Sequence, residues 1–148
     1  MMRVRILRRL MVASAAVVST VALGAVPADA ATATLSIPYV NCENSQGQIF
    51  DYVMRVDVTL SRNYIDGGHI VVRIWGDDPS SDDLLVGPVQ QNFEGFSGNH
   101  VLVDLCVNKS TLNEDIGTDE IYAGVRVFSH PSGAQTEVVE SNRIVDNF

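Results

Sequence analysis

The sequence predicts an antiparallel β-sandwich of seven or eight strands, with a small β-barrel as the alternative. Apolar and polar residues alternate with a period of two over most of the chain. Turn-forming clusters of Gly, Asn, Asp, Ser and Pro recur between the alternating segments. No segment after residue 30 keeps the 3.6-residue apolar period of a helix. Short strands separated by frequent turns are typical of sandwiches and barrels.

Residues 1–30 have the layout of a signal peptide and lie outside the predicted fold. Four arginines are followed by an almost uncharged apolar run over residues 10–26. Ala28 to Ala30 then supply the small-x-small pattern of a cleavage site. A membrane anchor is the rival interpretation, but the run is at the short end for spanning a bilayer. We expect cleavage after Ala30 and secretion, by the general secretory route in preference to the twin-arginine route.

The exported part, residues 31–148, has 118 of the 148 residues, which suits a single domain. Removing the four arginines and one aspartate of the leader changes the formal net charge from −8 to −11. Such a surface repels phosphate, which argues against a nucleic-acid partner. No later segment is apolar enough for membrane insertion. The remaining partner classes are a protein or a carbohydrate of unknown identity.

The two cysteines, Cys42 and Cys106, both lie in the exported part. An exported chain with two cysteines most simply forms one disulfide. This bond would close a loop of about 65 residues and stabilise the fold by roughly 4 kcal/mol on the chain-entropy model. Neither cysteine has a CxxC neighbour, so the spacing supports neither a redox motif nor a thiolate zinc site.

Eight strands are predicted in chain order. The clearest runs from Phe50 to Leu60, where apolar residues at even positions alternate with mostly polar ones. Segments 101–107 and 121–128 repeat this alternation. The shorter candidates are 33–40, 69–75, 84–90, 134–140 and 143–147.

The order of these strands predicts which loops share an end of the sandwich. If each strand is antiparallel to the one before it, alternate loops lie at the same end. One end, which we name the acidic end, then carries the loops at 41–48, 76–83, 108–120 and 140–142. Both cysteines also fall at the acidic end, as a disulfide between them requires.

Two acidic phrases lie at this end: WGDDPSSDDLLVGP at residues 75–88 and LNEDIGTDEIYAGV at residues 112–125. At a separation of 37 residues they share the pattern [DE]-D-x-[SG]-[ST]-D-[DE]-[LI]-x-[VA]-G. A duplicated hairpin explains the repeat. The alternative is that acidic turns of Asp, Ser and Gly look alike because turn chemistry favours the same residues.

Eight carboxylates in two neighbouring loops repel one another unless they are solvated, protonated or bridged by a cation. Hard oxygen ligands in flexible loops suit Ca²⁺, which takes six to eight of them. The sequence therefore leaves two interpretations open: simple hydration with local turn hydrogen bonds, and a Ca²⁺ site. The candidate ligands are Asp77, Asp78, Asp82, Asp83, Glu114, Asp115, Asp119 and Glu120.

The stretch from Asp77 to Gly87 resembles the acidic Ca²⁺-binding loop of C2 domains, which are eight-stranded sandwiches. The resemblance covers these residues only, and Trp75-Gly76-Asp77-Asp78 replaces the leading Asp-x-Asp of that family. It implies Ca²⁺ binding between loops at one end of the sandwich. Membrane docking is not implied, because basic residues that meet anionic lipid are scarce in this chain.

The opposite end carries aromatic residues and all three histidines. Tyr64, Phe93 and Phe96 lie in glycine-containing turns and form a candidate contact surface for a protein or a sugar. The alternative is that these rings fold back over the core. The histidines lack the HxxxH pairing typical of a metal site.

No constellation of catalytic residues is found, so the sequence predicts a binding or structural module rather than an enzyme. GFSG at 95–98 does not have the G-x-S-x-G spacing of a nucleophile elbow. His100 and Asp104 share a strand face but lie about 13 Å apart at strand rise. A small extracellular enzyme and a secreted protease inhibitor are the alternatives. An inhibitory loop near residue 95 would have no disulfide beside it to preorganise it.

Overall fold

A computed structural model describes residues 30–77, 81–95, 98–113 and 118–148. Within these ranges two antiparallel sheets form, and neither closes into a barrel, so the predicted β-sandwich is confirmed. The predicted signal peptide lies outside the described residues except for Ala30. The elements are β1 (Thr32–Ser36), β2 (Tyr39–Glu43), β3 (Ile49–Thr59), β4 (Gly68–Gly76), β5 (Asp83–Phe93), β6 (His100–Val107), α1 (Lys109–Leu112), β7 (Asp119–Ser129), β8 (Gln135–Glu140) and β9 (Ile144–Asp146).

The first sheet is built on β3, which pairs with β6 and with an interrupted strand made of β1 and β2. The register that begins at Thr32 opposite Thr59 continues to Tyr39 opposite Tyr52. The strand is interrupted at Pro38, because proline has no backbone N–H to donate to the ladder. The single strand predicted at 33–40 is therefore two pieces that run in the same direction. The chain does not reverse between them, so the predicted alternation of loops is unaffected.

The second sheet has the order β5-β4-β7-β8, and β9 continues the β8 edge along β7. Because β8 and β9 are both antiparallel to β7, the chain does not reverse between them, and the prediction of a loop at 140–142 at the acidic end is wrong. Ser141 bridges the break between β8 and β9. Its backbone N–H donates to the carbonyl of Ala123 at 2.9 Å, and its Oγ accepts from the Ala123 N–H at 2.9 Å. The ladder along β7 therefore continues through the break by means of a side chain.

Asn142, in the same break, connects the two sheets along one side of the sandwich. Its Oδ1 accepts from the backbone N–H of Leu35 at 2.8 Å, and its Nδ2 donates to the Leu35 carbonyl at 3.1 Å. Leu35 belongs to the edge strand β1, whose outward backbone groups would otherwise lack a strand partner. One amide side chain thus covers part of a sheet edge.

The core consists of the inward-facing residues that the period of two predicts. Burial of such apolar surface is the main favourable term in folding. At the acidic end Leu112 of α1 and Phe148 are also buried. Helix α1 was not predicted, since four residues are too few to establish a helical period. Fully buried residues of the three central strands are Met54, Val56, Val58, Ile70, Val72, Ile74, Ile121, Ala123, Val125 and Val127.

Cys42 in β2 and Cys106 in β6 form the predicted disulfide, with their Cα atoms 5.5 Å apart. The bond joins two strands that both pair with β3. Among the described residues no helix is long and apolar enough to cross a membrane.

Candidate functional site

The two acidic phrases enter the two strands that flank β4. The first leads into β5 and the second into β7, and both strands are antiparallel to β4. Ile74 lies opposite Val86 on one side and opposite Ala123 on the other. Val86 and Ala123 are 37 residues apart, which is the separation of the repeat. The repeated sequence therefore corresponds to two equivalent neighbours of one central strand.

The phrases also contact each other directly at the acidic end. The backbone N–H of Asp77 donates to the carbonyl of Glu120 at 2.7 Å. Asp83 and Ile121 both lie opposite Gly76 in the ladders. The predicted shared end is thus found for the described parts of both loops.

The eight predicted ligands differ in what the structure describes of them. Asp78, Glu114 and Asp115 lie outside the described residues. Asp83 and Glu120 are exposed, whereas Asp119 is 6% exposed and buried at the start of β7. Among the described residues, no three His, Cys, Asp or Glu side chains form a group that could hold a metal.

Asp77 and Asp82 each accept a hydrogen bond from another side chain. The Nε of Arg143 donates to the carboxylate of Asp77, and this bond raises the pKa of Arg143. The hydroxyl of Tyr122 donates to Asp82 Oδ2 at 2.8 Å. The Arg143 guanidinium lies 4.8 Å from the centre of the Tyr122 ring. An arginine and a tyrosine from the second sheet therefore hold the first acidic phrase against β7 and β9.

Tyr122 occupies an outward position of the alternation in β7, yet it is only 6% exposed. Arg143 covers its ring, and Trp75 lies opposite it on β4. Burial raises the pKa of Tyr122 to about 12, and the hydrogen bond to Asp82 adds to the effect because it favours the neutral phenol as a donor.

At the opposite end, two of the three aromatic candidates pack against the core. Tyr64 is 6% exposed, and its ring meets Phe93 edge to face at 5.6 Å. Its hydroxyl contacts Thr136 and the carboxylate of Glu137, while burial raises the pKa of Tyr64. Phe93 is partly buried against the core, and Phe96 lies outside the described residues. Of the two outcomes that the sequence allowed, Tyr64 and Phe93 follow the one in which the rings cap the core.

The three histidines do not form one site. His69 stacks on Phe128 at 4.8 Å between ring centres, and His130 lies 5.7 Å from His69. His100 instead contacts Asp57 on the first sheet. These positions give no support to a three-histidine metal centre.

The outer face of the second sheet carries a cleft of about 210 Å³ over β4, β7 and β8. Side chains from the outward positions of these strands form its walls, and Gly124 leaves room between them. A methyl group on residue 124 would lie only 3.1 Å from Trp75 Nε1. The cleft is lined by Arg73, Trp75, Tyr122, Gly124, Val125, Arg126, Val138, Val139 and Glu140.

Arg73 is flanked by a glycine on each neighbouring strand. Gly124 lies directly opposite it on β7. On β5 a register shift brings Gly87 beside it, where an added Cβ would be 3.3 Å from the Arg73 Cα. These are the glycines that end the shared pattern of the two acidic phrases. Glycine at 124 leaves space on the outer face beside Arg73, whereas glycine at 87 has a φ of +111° and lets β5 approach the backbone of β4 closely.

Arg126 is the second arginine of the cleft. It lies on β7, two residues beyond Gly124, which is the residue opposite Arg73. Such diagonal neighbours lie roughly 7–8 Å apart, with their Cβ atoms somewhat closer. Within the described ranges neither guanidinium has an ion pair or a hydrogen bond to a side chain. Arg55 on the other sheet makes two 2.8 Å bonds to Asp104. The cleft therefore holds two arginines that form no ion pair with a described side chain, together with one carboxylate, that of Glu140.

The cleft was not predicted, because the sequence patterns with recognisable chemistry are the acidic loops. The alternation does indicate that Arg73 and Arg126 point outward, but it does not indicate that β4 and β7 are neighbours. In comparisons with protein-family models, curated proteins and solved structures, nothing matched this chain.

Proposed function

We propose that this chain is an exported binding module that holds a ligand in the cleft on the outer face of its second sheet. The observation that supports it is the pair Arg73 and Arg126, which share the cleft without a carboxylate partner in the described part of the chain. Both guanidinium groups carry a positive charge, and an anionic group held between them would be attracted to both.

The scaffold suits binding more than chemistry. The cleft stands on β4 and β7, two central strands whose backbone is paired on both sides, so its side chains are held on a rigid floor. The disulfide between Cys42 and Cys106, a bond typical of oxidising compartments, supports export as part of the proposal.

The test uses Trp75, which is the one tryptophan of the sequence and lies in the cleft. We would titrate the protein of residues 31–148 with acetate, sulfate, glucose and glucuronate and follow tryptophan fluorescence. At least one of them is expected to change the emission saturably in wild type and in Arg55→Gln, and more weakly in Arg73→Gln. If none gives a saturable change, the proposal fails.

We also propose that Ca²⁺ binds at the acidic end and steadies the two phrases. The hydrogen bond from Asp77 to Glu120 supports this, because it brings two anionic loops side by side. Carboxylate and carbonyl oxygens are the donors that Ca²⁺ prefers, and extracellular modules bind it at about 10⁻⁴–10⁻³ M. Since Arg143 already neutralises Asp77, the metal would draw on the neighbouring acids of both phrases.

Thermal melts with Ca²⁺ and with EDTA test the second proposal. One such site at about 1 mM Ca²⁺ would add about 0.4–1.4 kcal/mol, which is a shift of several degrees at most. Mg²⁺ at the same concentration controls for ionic strength, because it keeps its waters and fits protein cages poorly. Identical curves in all three conditions would count against a Ca²⁺ site.

A further inference from the structure

We infer that the ligand of the cleft is a sugar carrying one carboxylate, of the uronic-acid type; this inference rests on the proposed function. The first argument is the balance of hydrogen-bonding groups. Each arginine offers five N–H donors and the Trp75 indole offers one, while Glu140 is the one carboxylate among the lining residues. A site so rich in donors selects a ligand rich in acceptors, and planar guanidinium groups pair best with a carboxylate or similar oxyanion.

The size of the cleft and the charge of the chain limit the ligand to a small one. Its volume of about 210 Å³ lies below the roughly 300–1,000 Å³ of pockets for drug-sized molecules. One ring-sized unit fits such a volume. The net charge of −11 in residues 31–148 opposes a long polyanion. A single charge placed between two arginines is attracted locally, since distant charges are screened beyond about 8 Å at physiological salt.

The position of the cleft argues for a sugar rather than a peptide. Extended peptides commonly bind by adding a strand to an exposed sheet edge, where main-chain groups are free. Here β4 has β5 and β7 as neighbours, and β7 has β4 and β8. Their backbone groups are committed to these ladders, so recognition has to come from side chains. A ligand that brings its own hydroxyls and a carboxylate meets this condition.

The lining residues match the separate parts of such a sugar. Arg73 and Arg126 would take the carboxylate. Glu140, which lies opposite Gly124 on β8, would accept hydrogen bonds from hydroxyl groups. The apolar side of the ring would rest on Val138, a side chain that is 64% exposed. The open space above Gly124 would hold the ring itself.

The fluorescence of Trp75 tests the inference with four probes: glucuronate, glucose, acetate and sulfate. Glucuronate is expected to give a saturable change with a Kd at least about ten-fold lower than the other three. Arg73→Gln and Arg126→Gln should each weaken it about ten-fold or more, and added NaCl should weaken it as well. Gly124→Val should abolish it by filling the cleft. Arg55→Gln removes an equal charge from the other sheet and should bind like wild type.

The outcomes separate this inference from the proposed function. If glucose binds as well as glucuronate, the carboxylate is not recognised; if acetate or sulfate does, the sugar ring is not recognised. Either result overturns the inference and leaves a binding cleft. Glucuronate binding that is unchanged in Arg73→Gln and Arg126→Gln also overturns it, because the arginines then play no part. If none of the four probes gives a saturable change in fluorescence, both the inference and the proposed function are overturned. Since Arg126 is exposed, Arg126→Gln is expected to remain folded.

Discussion

Asp77 and Glu120 are joined by a 2.7 Å hydrogen bond between the backbone N–H of the first and the carbonyl of the second. Each residue belongs to one copy of the repeated acidic phrase. The bond extends the β4–β7 ladder one step beyond Gly76 and Ile121. The two acidic phrases therefore meet where β4 and β7 end, and Arg143 pairs with Asp77 there.

Arg143→Gln is expected to raise the affinity of the acidic end for Ca²⁺. The substitution removes the guanidinium that pairs with Asp77, so the acidic phrases lose a competing cation. In EDTA the loss of this exposed ion pair should have little effect on stability, because solvent screens surface ion pairs. The Ca²⁺-dependent rise in Tm should then exceed that of wild type. Arg55→Gln, which breaks the Arg55–Asp104 pair elsewhere, is the matched control. A Ca²⁺ response equal to wild type would argue against a metal beside Asp77.

Tyr122→Phe is expected to weaken the dependence of stability on alkaline pH. The pKa of Tyr122 is raised to about 12 in the folded chain, from an ordinary value near 10. A raised pKa means that the stabilising contribution is complete below pH 10 and is lost as the pH rises toward 12. Phenylalanine has no proton to lose, so the variant should be less stable than wild type at pH 7 but decline less between pH 10 and 12.

Urea midpoints at pH 7, 10 and 11.5 measure this difference. At pH 7 the variant lacks the bond to Asp82, which costs about 1 kcal/mol. Tyr64 has a raised pKa as well and contributes equally to both proteins. Parallel declines of wild type and variant would show that Tyr122 does not carry the alkaline dependence.

Asn142→Ala is expected to lower the free energy of unfolding by about 2–3 kcal/mol. Both Asn142 bonds go to the backbone of Leu35, a residue that is 1% exposed. The alanine variant leaves one N–H and one carbonyl without a partner, and each such loss costs about 1–3 kcal/mol if water does not replace it. Urea denaturation measures the change. Asn41→Ala, at an exposed position of β2, is the control and should stay within about 0.5 kcal/mol of wild type. Equal stability of the two variants would contradict the assigned role.

Replacement of both cysteines by serine is expected to destabilise the chain by roughly 4 kcal/mol. Cys42 and Cys106 are 64 residues apart, so the reduced chain regains much loop entropy when it unfolds. Denaturation of the double variant and of wild type with and without dithiothreitol measures the effect. The reductant should shift wild type and leave the variant unchanged; a shift in both would mean that the reductant acts elsewhere.

Simple alternation predicted the architecture well. The expected strands are found near their predicted bounds, because a period of two assigns each residue to an inner or outer face without reference to the rest of the chain. The first of them is split into β1 and β2, and the last continues in the direction of the strand before it instead of reversing. The cysteine pairing and the shared acidic end also followed from chain order. The interruption at Pro38 was visible in the sequence as a residue without an N–H, but the alternation on either side concealed it.

The neighbours of each strand could not be read in the same way. Pairing in a sheet joins residues far apart in sequence, and many orders of strands satisfy the same alternation. Arg73 and Arg126 are two outward-facing arginines in the sequence, and they become one cleft only because β7 lies beside β4. The burial of Tyr122 also depends on strand pairing. Arg143, which immediately precedes β9, covers the Tyr122 ring because β9 lies beside β7. Whether a residue faces inward or outward is a local property of the strand backbone. Which strands are neighbours is set by the packing of the whole chain.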